Sequence, residues 1–401
     1  MSFLNEKLLS ETPVLILAGG IGDRLLPLTV SRPKPLLPLG LFRIIDFTLL
    51  NCRNSGLSNE MVLTQYCHEQ MADYLRESWP GGIRCVPPAN GMRYRGTAGA
   101  VFQNLTLLRE KNAQHVLILS ADHLYRMDYR KLLQQHLETN ADVTISATRV
   151  PLSHASSFGV LEVDKNRVTG FQEKPHTPLP LPQQPDSALV SMGIYVFRMQ
   201  TLVESLHATC GRGKYDFGHD VLPWLLNSAG VYSYDFHDEV LGAPNYWRDI
   251  GTVDAYYQAS MDLARPNPPS DLRVFGLPGR GAAAPSVVGL SRGVRVRRTM
   301  VCRGVHIEDN AEVEDCVLMP GVRVGRGAKL RRAIIDQGVE IMPGSTVGWD
   351  ADSDRQRFLV SPGGVSVVVG TVLPTPRPFS FPVGEDRTYG EAFPRRTAFL
   401  V

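Results

Sequence analysis

A 17-residue step runs through the C-terminal part of the chain and leaves that part few ways to fold. Val288, Val305, Val322 and Val339 fall in one column, Leu290, Ile307, Val324 and Ile341 in a second, and Val296, Val313, Leu330 and Val347 in a third. Turn residues keep the same step, with Gly304, Gly321 and Gly338 in one column and Gly293, Asn310, Gly327 and Gly344 in another. Aliphatic residues at that interval belong to a solenoid in which each coil stacks its side chains under those of the next, with glycine or asparagine at the corners. A parallel β-helix with three short sides per coil is therefore expected over residues 286–370.

The N-terminal part has a different grammar. Val14 to Leu17 is an apolar run without alternation, as expected of a strand covered on both faces of a parallel sheet. It feeds into Gly19, Gly20, Ile21, Gly22, Asp23 and Arg24, where three glycines let the backbone turn sharply with its N–H groups outward, a cradle for phosphate. Arg24 and Lys34 would bring cations to the same mouth, the first as a planar fork and the second as a point charge. Neither GxxxxGK[ST] nor a complete GxGxxG is present.

Further apolar runs at Met61–Thr64, Val116–Leu119, Val143–Thr148 and Ser191–Phe197 alternate with helical patterns, one of them over Thr97–Glu110. That layout predicts an α/β domain over residues 1–262 with a mostly parallel, Rossmann-like sheet. Four prolines make 176–187 an irregular loop, and a Pro-, Gly- and Ala-rich composition marks 263–285 as a linker. Residues 371–401, rich in Pro and Arg, read as a tail.

Lysine and arginine number 42 against 40 acidic residues, a formal charge of +2, so the chain is not built to coat a polyanion and nucleic acid is not an expected partner. The six cysteines show no CxxC pair or metal-ligand spacing, which suits reduced thiols in a cytoplasmic protein. Neither a signal peptide nor a membrane span is expected.

Asp122, in Ser120-Ala121-Asp122-His123, follows an apolar strand and so falls where open α/β sheets bind ligands. Mg²⁺ is commonly held by one or two carboxylates together with substrate phosphates. Taken alone Asp122 would read first as a cap of the next helix; the cradle turns the reading to the ligand role. Asp249, in Trp247-Arg248-Asp249-Ile250-Gly251-Thr252, is a second candidate, and spacing alone does not join it to Asp122.

The run GGIGDRLLPLTVSRPKPLLP, Gly19 to Pro38, resembles the signature of the sugar-nucleotide pyrophosphorylases, and Phe42-Arg43-Ile44-Ile45-Asp46-Phe47 with Asn51 to Gly56 narrows the likeness to the ADP-glucose branch. Phe158-Gly159-Val160, Glu173-Lys174-Pro175 and the SMGIYVF run from Ser191 follow in the family's order. The resemblance implies a nucleotidyltransferase domain followed by a left-handed β-helix, a homotetramer, and transfer of adenylyl from ATP to glucose 1-phosphate, giving ADP-glucose and pyrophosphate for glycogen synthesis. It implies that Asp122 and Asp249 share Mg²⁺ and that Arg24 and Lys34 serve catalysis. The nucleotide would lie on Gly19, Gly20, Gly22, Arg24, Lys34, Gly96, Thr97 and Ala98, and the sugar phosphate on Tyr94, Gly159, Glu173, Lys174 and Ser191.

The chain also departs from the family. Ser31 stands where many members carry lysine, Arg93 where many carry tryptophan, and Asp23 adds a negative charge beside the cradle. Arg32, Arg43 and Arg357 remain candidates for an anionic effector site. A transferase using GTP, UTP or dTTP, and a non-catalytic subunit of the same fold, are the competing expectations.

Overall fold

A computed structural model describes residues 6–89, 92–109, 113–238, 242–269, 272 and 292–370. Most of the expected linker, the tail at 371–401, and Val288 and Leu290 of the repeat lie outside the described residues. Nine strands make the main sheet: β1 (Val14–Ala18), β2 (Glu60–Thr64), β3 (Arg84–Val86), β4 (His115–Ser120), β5 (Val143–Pro151), β6 (Gly159–Asp164), β7 (Arg167–Glu173), β8 (Ser187–Arg198) and β9 (Val231–Asp235). Their order is β3-β2-β1-β4-β8-β5-β9-β7-β6. Strands β3, β2, β1 and β4 are parallel neighbours, as are β5 and β9, whereas β8 and β7 run against the strands beside them.

The unalternated run at β1 is explained by its place. Val14 and Ile16 enter one apolar core and Leu15 enters the other, on the opposite face of the sheet. The helix expected over Thr97–Glu110 is two helices, Gly96–Gln103 and Leu105–Arg109. Asn104 makes the break: its side-chain amide donates to the Ala100 carbonyl at 2.8 Å and to the Tyr94 hydroxyl at 3.0 Å, competing with the helical ladder.

Beyond β4 the chain forms a short strand, His123–Tyr125, that pairs antiparallel with Trp247–Asp249, placing Asp249 opposite His123. Two segments remote in sequence are thereby fixed at the end of β4, next to Asp122.

The C-terminal part is a parallel β-helix. Arg295–Arg297, Glu312–Glu314, Lys329–Arg331 and Thr346–Val347 form one side, Met300–Val301, Val317–Leu318, Ala333–Ile335 and Ser366–Val368 a second, and His306–Ile307, Arg323–Val324 and Glu340–Ile341 a third. Val313 pairs with Val296 on one side and Leu330 stacks on Val313, the 17-residue step made physical. Gly304, Gly321 and Gly338 take φ of 73°, 75° and 70°, the left-handed corners that a side chain would strain.

The β-helix does not hang free. Met300, Cys302, Val317, Met319, Ile334 and Val365 share one buried core with Leu37, Leu39, Tyr256 and Tyr257 of the α/β part. No helix among the described residues is long and apolar enough to cross a membrane. Leu330 is 1% exposed in the centre of the coil stack. Leu330→Ala should cost about 2–5 kcal/mol of stability, read as a lower urea midpoint; an unchanged midpoint would contradict the stacked core.

Candidate active site

Lys34 sits between Pro33 and Pro35 at the start of a single 3₁₀ turn, Lys34–Leu36, so its backbone is set by two restrained neighbours. Gly22, at φ 79°, lies against it: a Cβ there would come within 3.0 Å of Lys34 Cβ. The cradle's third glycine thus makes room for the lysine stem. That stem carries the ammonium, 10% exposed, to 2.6 Å from Asp122 Oδ2 and 3.7 Å from Asp249 Oδ1.

His123 Nε2 faces the same pair, 3.2 Å from Asp122 Oδ1 and 3.6 Å from Asp249 Oδ1. One ligand atom from each of Asp122, His123 and Asp249 lies within 4.8 Å of the other two. The Ser120 hydroxyl donates to Asp122 Oδ1. Burial would raise the Asp122 carboxyl, but Lys34 and His123, with the Lys34 and Ser120 hydrogen bonds, outweigh it and hold the group well below the usual carboxylate range. Asp122 is therefore an anion at any physiological pH.

Arg24 joins from the other side. A Cβ on Gly251 would stand 2.9 Å from Arg24 Nη2 and 2.7 Å from Asp249 Oδ2, so guanidinium and carboxylate flank a bare glycine. At Gly20 a Cβ would meet nothing within 4 Å, leaving that face of the cradle open, while Gly19 lies against Gln65 and the Tyr94 ring.

The other expected contacts form a second group. Lys174, at φ 45°, is 63% exposed with its ammonium 3.0 Å from Glu173 Oε1. Its N–H donates to the Phe158 carbonyl at 3.0 Å; the Phe158 ring meets Trp247, and Trp247 meets His123, at centroid distances of 5.3 and 5.2 Å. This aromatic chain joins the Lys174 segment to the carboxylate pair. A Cβ on Gly159 would collide with the Phe171 ring and come within 3.0 Å of Glu173 Oε2, so Gly159 makes room for both. The Ser191 hydroxyl accepts the Gly193 N–H at 3.2 Å, in a bulge of β8 that packs towards the His123 ring.

Two expectations meet a different arrangement. The Ala98 N–H donates to the Tyr215 carbonyl at 2.8 Å, and the Thr97 hydroxyl donates to Asp216 Oδ2 at 3.1 Å and accepts from the Phe217 N–H at 3.0 Å. These donors at the helix start are taken by the chain itself. Arg32 and Arg43 line one cleft of about 490 Å³, from which Arg357 is absent. Arg357 donates instead to the Thr346 carbonyl at 3.2 Å, and Arg32 is locked in a two-pronged ion pair with Asp336.

His123 was not among the sequence-derived site residues, although it stands in the same tetrapeptide as Asp122. Its neighbour relation to Asp249 depends on the short strand pairing, for which the sequence carries no sign.

Comparison with known proteins fits both halves. The nucleotidyl transferase family matches residues 13–265, and a GlmU-like, C-terminal hexapeptide family matches residues 278–368. A glucose-1-phosphate adenylyltransferase 2 of Alkalilimnicola ehrlichii is 40% identical over 404 residues, covering 92% of this chain and 96% of that one. The chain belongs to the glucose-1-phosphate adenylyltransferase family. A Vibrio cholerae member is 39% identical, with 90% of this chain and 98% of its own covered, and one from Nitrosomonas europaea is 40% identical, with 90% and 93% covered. On this chain the two family matches fall in the order of the α/β sheet and the coils.

Because the folded carboxyl of Asp122 is depressed, its ionised form contributes stability that is complete above the ordinary carboxylate pKa and fades as pH falls below it. The stability of the wild type relative to Asp122→Asn should be level at neutral pH and decline below about pH 4. Urea titrations across pH measure it, and a difference that grows on acidification would contradict the ion pair.

Proposed function

We propose that the protein transfers the adenylyl group of ATP to α-D-glucose 1-phosphate, forming ADP-glucose and pyrophosphate for glycogen synthesis. The observation that carries this reading is the convergence of Asp122 and Asp249 on Lys34, with Arg24 beside Asp249, at the turn after β1. Two anionic oxygens within 4.8 Å of each other fit one Mg²⁺, whose oxygen ligands stand at about 2.1 Å and hence roughly 3–4 Å apart. Asp122 and Asp249 would hold the ion, and His123, whose Nε2 lies 3.2 and 3.6 Å from them, would orient them. Bound there, Mg²⁺ supplies neutralising charge for the triphosphate.

The remaining steps fall to the chain. The open backbone at Gly19, Gly20 and Gly22 receives the phosphates, and Lys34 turns its ammonium from Asp122 to the leaving pyrophosphate, where Arg24 offsets the growing charge. Lys174, exposed and beside Glu173, holds the sugar phosphate, while Glu173 and Ser191 take sugar hydroxyls. Tyr94 and Gly159 shape the pocket. Gly96, Thr97 and Ala98 contribute a wall near the base and ribose, with the Thr97 hydroxyl and the Ala98 N–H already engaged within the chain.

A phosphate oxygen of glucose 1-phosphate attacks the α-phosphorus of ATP; that P–O bond forms as the bond from the α-phosphorus to the bridging oxygen breaks. The nucleophile is already an anion, so positioning and charge neutralisation suffice and no general base is assigned. We place the catalytic domain at 1–262, the linker at 263–285, the β-helix at 286–370 and a tail at 371–401, in a cytoplasmic homotetramer.

Pyrophosphate release from ATP and glucose 1-phosphate should require Mg²⁺ and stop on chelation, with GTP, UTP and dTTP as poor replacements. Lys34→Ala or Asp122→Ala should lower kcat by about 10²-fold or more, and Lys174→Ala should raise KM for glucose 1-phosphate. Near-normal turnover in the first two variants would remove those residues from the mechanism.

A further inference from the structure

Resting on the reading above, we infer that the β-helix domain sets the position of the catalytic lysine, through an ion pair between Arg32 and Asp336. Arg32 Nη1 and Nη2 donate to Asp336 Oδ1 and Oδ2 at 2.8 and 3.1 Å, in a two-pronged pair across the domain interface. The side chains are 13% and 12% exposed, so solvent screens the pair little and the fork geometry resists rotation.

Both ends are anchored. Asp336 stands at a coil corner where its N–H donates to the Val368 carbonyl at 2.8 Å and its carbonyl accepts the Val339 N–H at 3.2 Å. Arg32 also has Met319 Sδ at 3.7 Å from Nη1. Only Pro33 separates Arg32 from Lys34, and Pro35 follows, so the connection has little backbone freedom to absorb a shift. A displacement of Arg32 is passed on to the ammonium that touches Asp122.

A second tether points the same way. Asp254, five positions after Asp249, accepts from the Ser361 hydroxyl at 2.5 Å and from the Gly363 N–H at 3.0 Å. Chain segments bearing Lys34 and Asp249 are thus each tied to the β-helix. Arg32 and Asp336 touch no reacting atom in this scheme; they are positioning residues.

The test reads Lys34 directly. Reductive methylation of the full-length protein, followed by mass spectrometry, gives the labelling rate of Lys34 against the exposed Lys329. In the wild type Lys34 should label slowly. Asp336→Asn should raise its relative rate about ten-fold and lower kcat by about 10²-fold, with KM for glucose 1-phosphate changed by less than about two-fold. Arg32→Lys, which keeps both charges but loses the fork, should fall between.

Tyr257→Phe is the control. It removes another interdomain bond, the Tyr257 hydroxyl to the Asp315 carbonyl at 2.8 Å, and should lower Tm while leaving Lys34 labelling and kcat unchanged. Unchanged labelling in Asp336→Asn, or an equal rise in Tyr257→Phe, would overturn the inference. Were the wild type to form no ADP-glucose, the proposed activity would fail, and the labelling comparison would still decide the strut.

Discussion

Two carboxylates held close together are the constraint around which the α/β domain is arranged. At the outer separation of 4.8 Å two unit charges repel by roughly 3.5 kcal/mol at an effective dielectric constant of about 20. The arrangement survives because Lys34 and Ser120 direct donors at Asp122 and the His123 Nε2 faces both carboxylates. Those donors need β1 to deliver the cradle, the Pro-Lys-Pro turn to deliver the ammonium, and the pairing of His123–Tyr125 with Trp247–Asp249 to deliver the second carboxylate. A substrate complex that brings its own phosphates and a divalent cation would redistribute the same charges rather than create a new balance.

Much of this was legible in the residues. The coils could be read from the 17-residue columns because stacking repeats the same environment at a fixed chain interval, and β1 from an apolar run that has to face two cores. Other features depend on distant partners and left no local sign. An apolar run has no direction, so nothing in Ser191–Phe197 told that β8 would run against its neighbours. The break at Asn104 rests on a side chain reaching back to Ala100 and Tyr94, against an otherwise helical pattern. Asp249 and His123 become neighbours only through strand pairing, and Arg32 reads as a candidate for an anion site, with nothing in the sequence to pair it with Asp336.

The two architectures are one mechanical body at their contact. Apolar residues of the second side of the β-helix are continuous with the core beneath Leu37, Leu39 and Tyr256. Around that apolar patch lie directional bonds: Arg32 to Asp336 and Ser361 to Asp254. Apolar burial is tolerant of small slips, whereas a forked ion pair is not. The division of labour follows: the core holds the domains together and the polar bonds fix their register near the site.

Anomalous diffraction from crystals grown with Mn²⁺ and ATP tests the shared-ion arrangement most directly. The expected result is an anomalous peak bonded to both Asp122 and Asp249, with Lys34 moved from Asp122 to a phosphate. A metal–nucleotide complex in the cleft that leaves either carboxylate unbound to the ion, with the Lys34–Asp122 pair intact, would contradict it.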